Sequence, residues 1–523
     1  MKTSHLFVAL VLAAALLLAG CGPKPAPPLA VPDEAQAGDL TALEACEYVP
    51  PGSKTTFDAE CATVTVSENW DKAGSRLIAL PLVRIRTDAA TPAEPVFFLR
   101  GGPGAPNLSW DPPDWLLKNH DVVMVGYRGV EGTVVLDCPN LDPPYKAHVG
   151  RDIFSQETLT EYAQATRQCA ADFAKAGIDL SGYSIPDVIE DMEAVRHGLG
   201  YERINLYTES YGTRLAQIYA YMHPDSLHRS VLLGVNFPGH FIWHPDDLDK
   251  LIEHMSDLCA QDPGCSSRTS DLAQDMHDVT HNMPARWLFF PIDEGTVRFG
   301  THSLFFRNPQ MAIVIDAYLA AARGDPSGLA MMNLMAKVMP APRYLGDQFS
   351  KAMSADLEMY EGIESVSLGD SIIGAPFSQM VWPLASSWPM ELIPEDLRNF
   401  QESDAEMLLV NGTLDFSTPH FGLDEARPYY PNAQIVLLPE FGHSPDLEAL
   451  QKDALERLVT SYYDTGVGDD SLYVYQPLSF EVGTSFTVLA KVVVAAMIVV
   501  PLLLILVVAL VVRRVRRRRV SVN

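Results

Sequence analysis

The sequence has few cysteines, few basic residues and no internal repeat. Seven cysteines occur in 523 residues, and no two of them form a Cys-x-x-Cys pair. No histidine lies at ligand spacing from a cysteine either, so cysteine-based metal binding is disfavoured and we expect neither metal nor cofactor. Lys and Arg number 38 against 66 Asp and Glu, which gives a net charge of −28. A surface this acidic repels nucleic acid, so we expect no nucleic-acid partner.

Charge is almost absent from the first 20 residues. Lys2 is followed by an apolar run from Leu6 to Ala19, which is typical of a secretory signal peptide over 1–20. The motif Leu-Ala-Gly-Cys ending at Cys21 resembles the lipobox of bacterial lipoproteins. That resemblance implies cleavage before Cys21 and lipidation of its thiol. The alternative is an ordinary signal peptide with an incidental cysteine.

A second charge-free stretch lies near the other end, over 492–512. As a helix it is about 30 Å long, which equals the hydrocarbon thickness of a bilayer. Six arginines follow it within the tail 513–523, and such a basic cluster favours the cytoplasmic side. The sequence therefore predicts a transmembrane helix over 488–512 and a catalytic region on the outer face of the cytoplasmic membrane. A buried core helix is the alternative, but core helices are rarely so long and apolar.

Six cysteines remain if Cys21 carries lipid. An even number of cysteines in an exported chain favours disulfide bonds, and six allow fifteen pairings. The short spacings favour the pairs Cys46–Cys61, Cys138–Cys169 and Cys259–Cys265.

Hydrophobic runs divide the middle of the chain. Residues 62–66 and 77–83 predict an antiparallel pair at a sheet edge, whereas the continuous apolar runs at 96–99 and 122–125 are typical of parallel strands covered on both faces. A long stretch rich in Met, Pro, Trp and helical patterns then precedes two further strands at 407–410 and 434–438. We expect a linker over 21–45, a core over 46–238, a helical cap over 239–404, the rest of the core over 405–465, and a second linker over 466–487.

Three motifs predict nucleophilic chemistry. Ser210 lies in Thr-Glu-Ser-Tyr-Gly, between a predicted strand at 203–207 and a predicted helix at 215–220. Asp415 and His443 each follow a later predicted strand. A serine needs a base to accept its proton, and a histidine needs an acid to orient it. The order Ser…Asp…His is that of α/β-hydrolases. Each residue alone is more often structural, and it is their combination that predicts a triad.

A glycine-rich loop precedes the nucleophile motif. The sequence Arg-Gly-Gly-Pro-Gly at 100–104 follows the strand at 96–99, where backbone N–H groups can approach a developing oxyanion. We expect Gly102 and Tyr211 to supply these N–H donors. A plain turn is the alternative for the loop.

The loop at 100–104 is similar to the His-Gly-Gly-Pro-Gly of proline iminopeptidases. The elbow at 210–216, the segment 411–419 that contains Asp415, and the Phe-Gly-His ending at His443 resemble motifs of the exported tripeptidyl aminopeptidases. This resemblance implies an α/β-hydrolase fold, with a mostly parallel sheet, helices on both faces and a helical cap. It also implies an aminopeptidase that releases residues or tripeptides from the amino terminus of peptides.

The chain departs from the family pattern at three points, and other functions share its motifs. Thr208 replaces the first glycine of the elbow, Arg100 replaces a histidine, and the segment at 126–129 lacks the acid of Asp-Gln-Arg-Gly. A carboxylic-ester hydrolase needs the same triad, and a non-catalytic binding protein could share the fold. An acid in the cap that binds the substrate ammonium would favour a peptidase. The candidates are Glu358, Glu361 and Glu364, although a solvated helix face explains them equally well.

Overall fold

The computed structural model describes residues 29–356 and 367–520, and the side chains of the last helix up to Arg514. The predicted signal peptide, the lipidation site Cys21 and the cap residues Glu358, Glu361 and Glu364 lie outside the described residues.

A nine-stranded sheet forms the centre of the molecule, in the order β1-β2-β3-β5-β4-β6-β7-β10-β11. From β5 to β11 neighbouring strands are parallel, and β1, β2, β3 and β5 pair in antiparallel fashion. A separate two-stranded hairpin comprises β8 and β9. The strands are β1 Glu44–Tyr48, β2 Phe57–Ser67, β3 Leu77–Ile85, β4 Val96–Leu99, β5 Val122–Val125, β6 Ile204–Glu209, β7 Leu227–Leu233, β8 Arg286–Trp287, β9 Phe290–Pro291, β10 Glu406–Gly412 and β11 Gln434–Leu438.

The helices lie along the chain between and after these strands. They are α1 Asp142–His148, α2 Gln156–Lys175, α3 Ile185–Leu199, α4 Tyr211–Met222, α5 Pro245–Gln261, α6 Pro263–Ser266, α7 Leu272–His281, α8 Glu294–Leu304, α9 Asn308–Ala322, α10 Ser327–Ala336, α11 Leu345–Gln348, α12 Ser354–Asp356, α13 Pro376–Val381, α14 Glu395–Arg398, α15 Gly422–Ala426, α16 Ser444–Ala449, α17 Lys452–Thr465 and α18 Phe486–Val520. A π-helical segment, Phe349–Met353, joins α11 to α12.

Apolar clusters cover both faces of the sheet. In β4, Phe97 and Leu99 join one buried cluster, whereas Val96 and Phe98 join the other. Successive side chains of a strand point to opposite faces, so a strand covered on both faces must be apolar throughout. This explains the continuous apolar run that predicted β4.

The predicted antiparallel pair is confirmed as β2 and β3, but its place in the sheet differs from the expectation. The edge strand is β1, which pairs along β2, and β3 lies inside the sheet. Pro81 lies at the end of the pairing of β3 with β5, which runs from Leu82 to Ile85. Its carbonyl still accepts from the Gly126 N–H at 2.8 Å, so a proline at this position costs the sheet at most one hydrogen bond.

The chain between β7 and β10 folds mainly as helices. Helices α5 and α7 to α10 share a buried apolar cluster that also includes Leu414 and Phe416, which flank Asp415. The hairpin β8–β9 within this region was not expected, because two-residue strands leave no alternating pattern. The helical region thus packs directly on the loop that carries the predicted acid.

The two segments expected to be linkers pack against the domain where they are described. The Gly38 and Thr41 N–H groups donate to carbonyls of β2, and the Leu29 N–H donates to Gly132. In the second segment, Leu478 and Phe480 are buried in the cap cluster. The described parts of these two segments are therefore anchored to the domain. The sequence did not indicate this, because short apolar and hydrogen-bonded anchors among prolines and acids are hard to recognise.

All three predicted disulfide bonds are present. Cys46 pairs with Cys61, Cys138 with Cys169 and Cys259 with Cys265. The first joins β1 to β2, the second ties α2 to the chain before α1, and the third closes the turn after α5. Short spacing in sequence was enough to predict the three pairs, because each pair joins neighbouring elements.

The C-terminal helix α18 confirms the expected long apolar helix. Its residues 486–514 are long and apolar enough to span a membrane, and none of its most apolar window is buried within the protein. Only its first two turns, which include Phe486 and Ala490, are buried against the cap.

Candidate active site

Ser210 lies on a sharp turn between β6 and α4. Its φ is 54° and its ψ is −127°, a region that non-glycine residues rarely adopt. The Ser210 N–H donates to the carbonyl of Leu233 at 2.9 Å, so the neighbouring strand β7 holds the turn. The side chain is half-buried, at the carboxyl edge of the parallel strands. This is the geometry of a nucleophile elbow.

Two glycines allow the elbow to form. A Cβ on Gly212 would lie 2.1 Å from the Leu99 carbonyl oxygen, so only glycine lets α4 approach β4. A Cβ on Gly101 would lie 2.6 Å from the Cβ of Ser210. The glycine-rich loop therefore passes directly against the nucleophile candidate.

Asp415 and His443 are in direct contact. The Nδ1 atom of His443 lies 2.9 Å and 3.0 Å from the two carboxylate oxygens of Asp415. Asp415 also accepts hydrogen bonds from the Ser417 N–H and the Thr418 N–H at 2.8 Å, and from the Thr418 hydroxyl at 2.7 Å. These hydrogen bonds hold the fully buried Asp415 carboxylate in place against the His443 ring. An ionised Asp415 would keep the proton of His443 on Nδ1 and leave Nε2 free to act as a base.

The structure places His443 beside the strands that position Ser210. A Cβ on Gly234, which follows β7, would lie 3.1 Å from His443 Nδ1, so the histidine packs on the end of the strand next to β6. The described residues include no hydrogen bond between the Ser210 hydroxyl and His443. Such a contact often tightens only in the complex with substrate.

The predicted oxyanion donors border Ser210. Tyr211 is the first residue of α4, so its N–H has no intrahelical acceptor. Gly102 is exposed, has a φ of 133° and directly follows Gly101. The loop is held by the buried Asn107, whose side chain accepts from the Arg100 N–H and donates to the carbonyls of β4 and β5. The assignment of Gly102 and Tyr211 as donors stays a prediction.

One departure from the family pattern, Arg100, forms an ion pair next to Ser210. Arg100 lies 3.6 Å from the carboxylate of Glu209, the residue before Ser210. Burial raises the pKa of Glu209, while Arg100 and His443 oppose that shift. The pKa of Glu448 is also raised, to about 8, by burial and by the Glu209 charge, and its carboxylate accepts from the Tyr207 hydroxyl. Two carboxyl groups and one guanidinium therefore cluster around the strand residue that precedes Ser210, which the sequence analysis did not foresee.

The other departures have equally local explanations. The Thr208 hydroxyl donates to the Val231 carbonyl at 3.0 Å, which satisfies the polar group inside the sheet. Arg128 lacks an acid in its own segment but pairs with Asp191 of α3, with Nε and Oδ2 2.7 Å apart. A carboxylate from another element thus replaces the missing one.

The cap region supplies one wall beside His443. The His443 N–H donates to the Phe306 carbonyl at 2.9 Å, and the two rings lie 5.8 Å apart. Phe377 packs against Phe306 and Trp243, and all three are half-buried. Behind them the buried His302 donates to the Phe416 carbonyl, and burial lowers its pKa to about 4. The site therefore has an aromatic, neutral wall.

Sequence reasoning missed the residues that support this site. Thr418 could have been found, because a hydroxyl residue three positions after an aspartate commonly donates to its carboxylate. Asn107 and Glu448 lie close in sequence to the predicted motifs, but no local pattern marks them. Phe306 left no signal because it reaches the site from a distant segment.

Comparisons with known proteins agree with this architecture. Residues 94–269 match the family described as α/β hydrolase fold. Tripeptidyl aminopeptidases of Streptomyces lividans and Streptomyces coelicolor are each 26% identical over 208 residues, and the match covers 36% of this chain and 38% of each relative.

Solved structures are similar at lower identity. A serine hydrolase from Cycloclasticus zankles is 13% identical with a TM-score of 0.36, covering 77% of this chain and 98% of that one. An esterase from Thermogutta terrifontis is 13% identical with a TM-score of 0.34, covering 77% of this chain and 99% of that one.

The family match includes the glycine-rich loop and the elbow, and the parallel strand order places Ser210, Asp415 and His443 at one edge of the sheet. The chain therefore has an α/β-hydrolase fold and is similar, over 208 residues, to the tripeptidyl aminopeptidases.

Proposed function

We propose that the protein is a serine aminopeptidase that releases residues or tripeptides from the free amino terminus of peptides. The observation that carries this proposal is the contact of His443 with Asp415 at the sheet edge that also bears the Ser210 elbow. The partial similarity to tripeptidyl aminopeptidases supports the choice of substrate.

In the proposed reaction the Ser210 hydroxyl attacks the scissile carbonyl while His443 Nε2 accepts its proton. The N–H groups of Gly102 and Tyr211 stabilise the tetrahedral oxyanion, a contribution of about 3–4 kcal/mol per donor in comparable enzymes. His443 then donates its proton to the leaving amine, and water hydrolyses the acyl-enzyme by the same steps. Asp415 stays ionised throughout.

The wall beside His443 supports a preference for apolar residues next to the cleaved bond. Phe306, Phe377 and Trp243 offer aromatic surface and no charge. The net charge of −28 also favours a substrate with a free ammonium over an acidic one. Glu358, Glu361 and Glu364 stay candidates for binding that ammonium.

The test uses the full chain in detergent and three substrates: a tripeptidyl anilide, its N-acetylated form and a short-chain aryl ester. An aminopeptidase cleaves the free anilide and discriminates strongly against the acetylated one. Hydrolysis of the ester alone would show a carboxylic-ester hydrolase, and hydrolysis of none of the three would favour a non-catalytic binding protein.

Ser210→Ala tests the nucleophile. We expect turnover to fall on the order of 10⁶-fold, with unchanged thermal unfolding, because the hydroxyl serves the reaction and not the core. A fluorophosphonate probe should label the wild type and not this variant. Ser226→Ala, in the turn that follows α4, is the matched control and should keep both labelling and activity. Labelling that persisted in Ser210→Ala would assign the nucleophile elsewhere.

We also propose that the domain lies on the outer face of the cytoplasmic membrane, with lipid on Cys21 and α18 spanning the bilayer. The apolar length of α18 and the arginines after it support this orientation. Protease added to intact spheroplasts should then digest the catalytic domain. Protection in spheroplasts followed by digestion after lysis would refute the orientation.

A further inference from the structure

Helices α10 and α18 lie side by side and point in the same direction. Gly328, near the start of α10, lies against Thr487, near the start of α18. Further along, Leu334 and Val493 line one small cavity. Residue numbers rise together on both helices, so the C-terminal end of α10 lies level with the turns of α18 that follow Val493.

At this height along its axis, α18 emerges from the folded domain. Lys491, paired with Asp325 at 2.6 Å, is the last charged residue before the charge-free stretch 492–512. Since that stretch is about as long as a bilayer's hydrocarbon core is thick, the membrane boundary crosses α18 close to Lys491. The end of α10 and the turn after it therefore lie at the same boundary.

The surface at this level is apolar and exposed. In the turn after α10, Val338 is 57% exposed and Met339 is 60% exposed. Beside them, the tip of the β8–β9 hairpin presents Leu288 and Phe289, which are 56% and 63% exposed. Asn333 of α10 holds the hairpin there by donating to the Pro291 carbonyl at 3.0 Å.

The charges of this surface are cationic. We define the membrane-facing patch as residues 286–290 and 335–339. Its charged residues are the exposed Arg286 and Lys337, and it contains no Asp or Glu although the chain as a whole is strongly acidic. Trp287 and Phe290 line the cavity beside α18. Aromatic and cationic residues around an apolar tip are typical of the membrane interface.

We propose that the membrane-facing patch inserts into the leaflet that α18 enters, with Leu288, Phe289, Val338 and Met339 among the upper acyl chains and Arg286 and Lys337 at anionic headgroups. The patch is continuous with α18, so both contact the same bilayer. A second attachment of this kind fixes the cap, and with it the mouth of the candidate active site, relative to the membrane surface. The inference depends on α18 spanning a bilayer and does not depend on the reaction.

The experiment places a fluorescent nitrobenzoxadiazole probe on single cysteines in the full chain carrying Cys21→Ser, reconstituted in nanodiscs of phosphatidylcholine and phosphatidylglycerol. The probed variants are Phe289→Cys and Met339→Cys, with Leu504→Cys in α18 as the positive control. Leu437→Cys, 42% exposed on the edge strand β11, is the matched negative control. A nitroxide on the upper acyl chain is the quencher.

We expect quenching by roughly twofold at positions 289 and 339, as for residues buried at the headgroup–acyl boundary, and none at position 437. Quenching at 504 without quenching at 289 and 339 would overturn this inference and leave the membrane anchor intact. No quenching at 504 would overturn both.

Hydrogen exchange of the unmodified chain in the same nanodiscs provides a second measurement that needs no substitution. Residues 286–290 should exchange more slowly than the exposed segment 470–475. Equal exchange in the two segments would also contradict the inference.

Discussion

At the residue scale, the candidate acid depends on a hydroxyl that the family motif does not single out. The Thr418 hydroxyl lies 2.7 Å from Asp415 Oδ2 and 3.2 Å from His443 Nδ1. It thus orients the carboxylate towards the imidazole. Removing a hydrogen bond to a charged group costs about 1.5–3 kcal/mol.

We therefore predict that Thr418→Val lowers kcat by about 10- to 100-fold with little change in KM, because the lost contact orients the base and not the substrate. Thr418→Ser keeps the hydroxyl and should restore most of the activity. Steady-state kinetics of both variants provide the measurement. Equal activity of Thr418→Val and the wild type would show that the hydroxyl has no part in the reaction.

Glu448 predicts a pH dependence of stability. Burial and the Glu209 charge raise its pKa from the ordinary value of 4.5 to about 8 in the folded protein. The folded state therefore keeps the proton to higher pH than the unfolded chain. The stability that this proton contributes is present at low pH and is lost as pH rises through about 8.

Glu448→Gln cannot ionise and should make thermal unfolding less sensitive to pH over this range. The unfolding temperature of the variant should exceed that of the wild type increasingly between about pH 4.5 and pH 8, and the difference should stay constant above that range. Glu456→Gln on α17 removes a more exposed carboxylate and serves as the control. Parallel pH profiles of Glu448→Gln and the wild type would contradict the raised pKa.

At the scale of elements, a carboxylate joins the cap to the helix that follows His443. Asp446 of α16 is fully buried and accepts from Arg307 Nε at 2.6 Å. It also accepts from the Asn308 N–H at 2.7 Å, at the N-terminus of α9. Negative charge is favourable there because the first N–H groups of a helix have no intrahelical acceptor.

Asp446→Ala should lower the free energy of unfolding by about 3 kcal/mol, because two charge-assisted hydrogen bonds are lost at a buried position. It should also lower kcat, since α16 and the cap would no longer fix the loop of His443. Urea unfolding and kinetics measure the two effects. Asp453→Ala, an exposed position on α17, should change neither. If Asp446→Ala unfolded at the same urea concentration as the wild type, the attachment of the cap to α16 would not depend on this contact.

At the scale of the whole molecule, the start of α18 belongs to the folded domain. Phe486 and Ala490 are 4% and 3% exposed within the cap cluster. In the segment that precedes α18, Leu478 and Phe480 are buried in the same cluster. The domain therefore does not end at α17, although the core was expected to end there, at residue 465.

A chain that ends after Val493 should keep wild-type unfolding, whereas one that ends after Ser485 should lose about 3 kcal/mol, because the buried phenylalanine and the first turns of α18 are gone. Urea unfolding of the two truncated chains tests this. Equal stabilities would show that α18 contributes to anchoring alone.

The sequence by itself determined the features that depend on local pattern. Apolar runs covered on both faces predicted the parallel strands, the glycines at 101–104 marked a loop whose backbone can approach the reacting group, and three short cysteine spacings predicted the disulfide bonds. The long charge-free run near the C-terminus predicted α18. Ser210, Asp415 and His443 were predicted together because each follows a strand and because their order matches that of α/β-hydrolases.

Only the tertiary structure decided which distant segments meet. It placed β1 at the sheet edge, paired Arg128 with Asp191, brought Phe306 onto His443 and set the membrane-facing patch level with the exit of α18. Such contacts join residues tens to hundreds of positions apart, and they depend on how the region between β7 and β10 folds back on the sheet. No local pattern encodes that path, since it is fixed by packing between surfaces that form only when the whole chain folds.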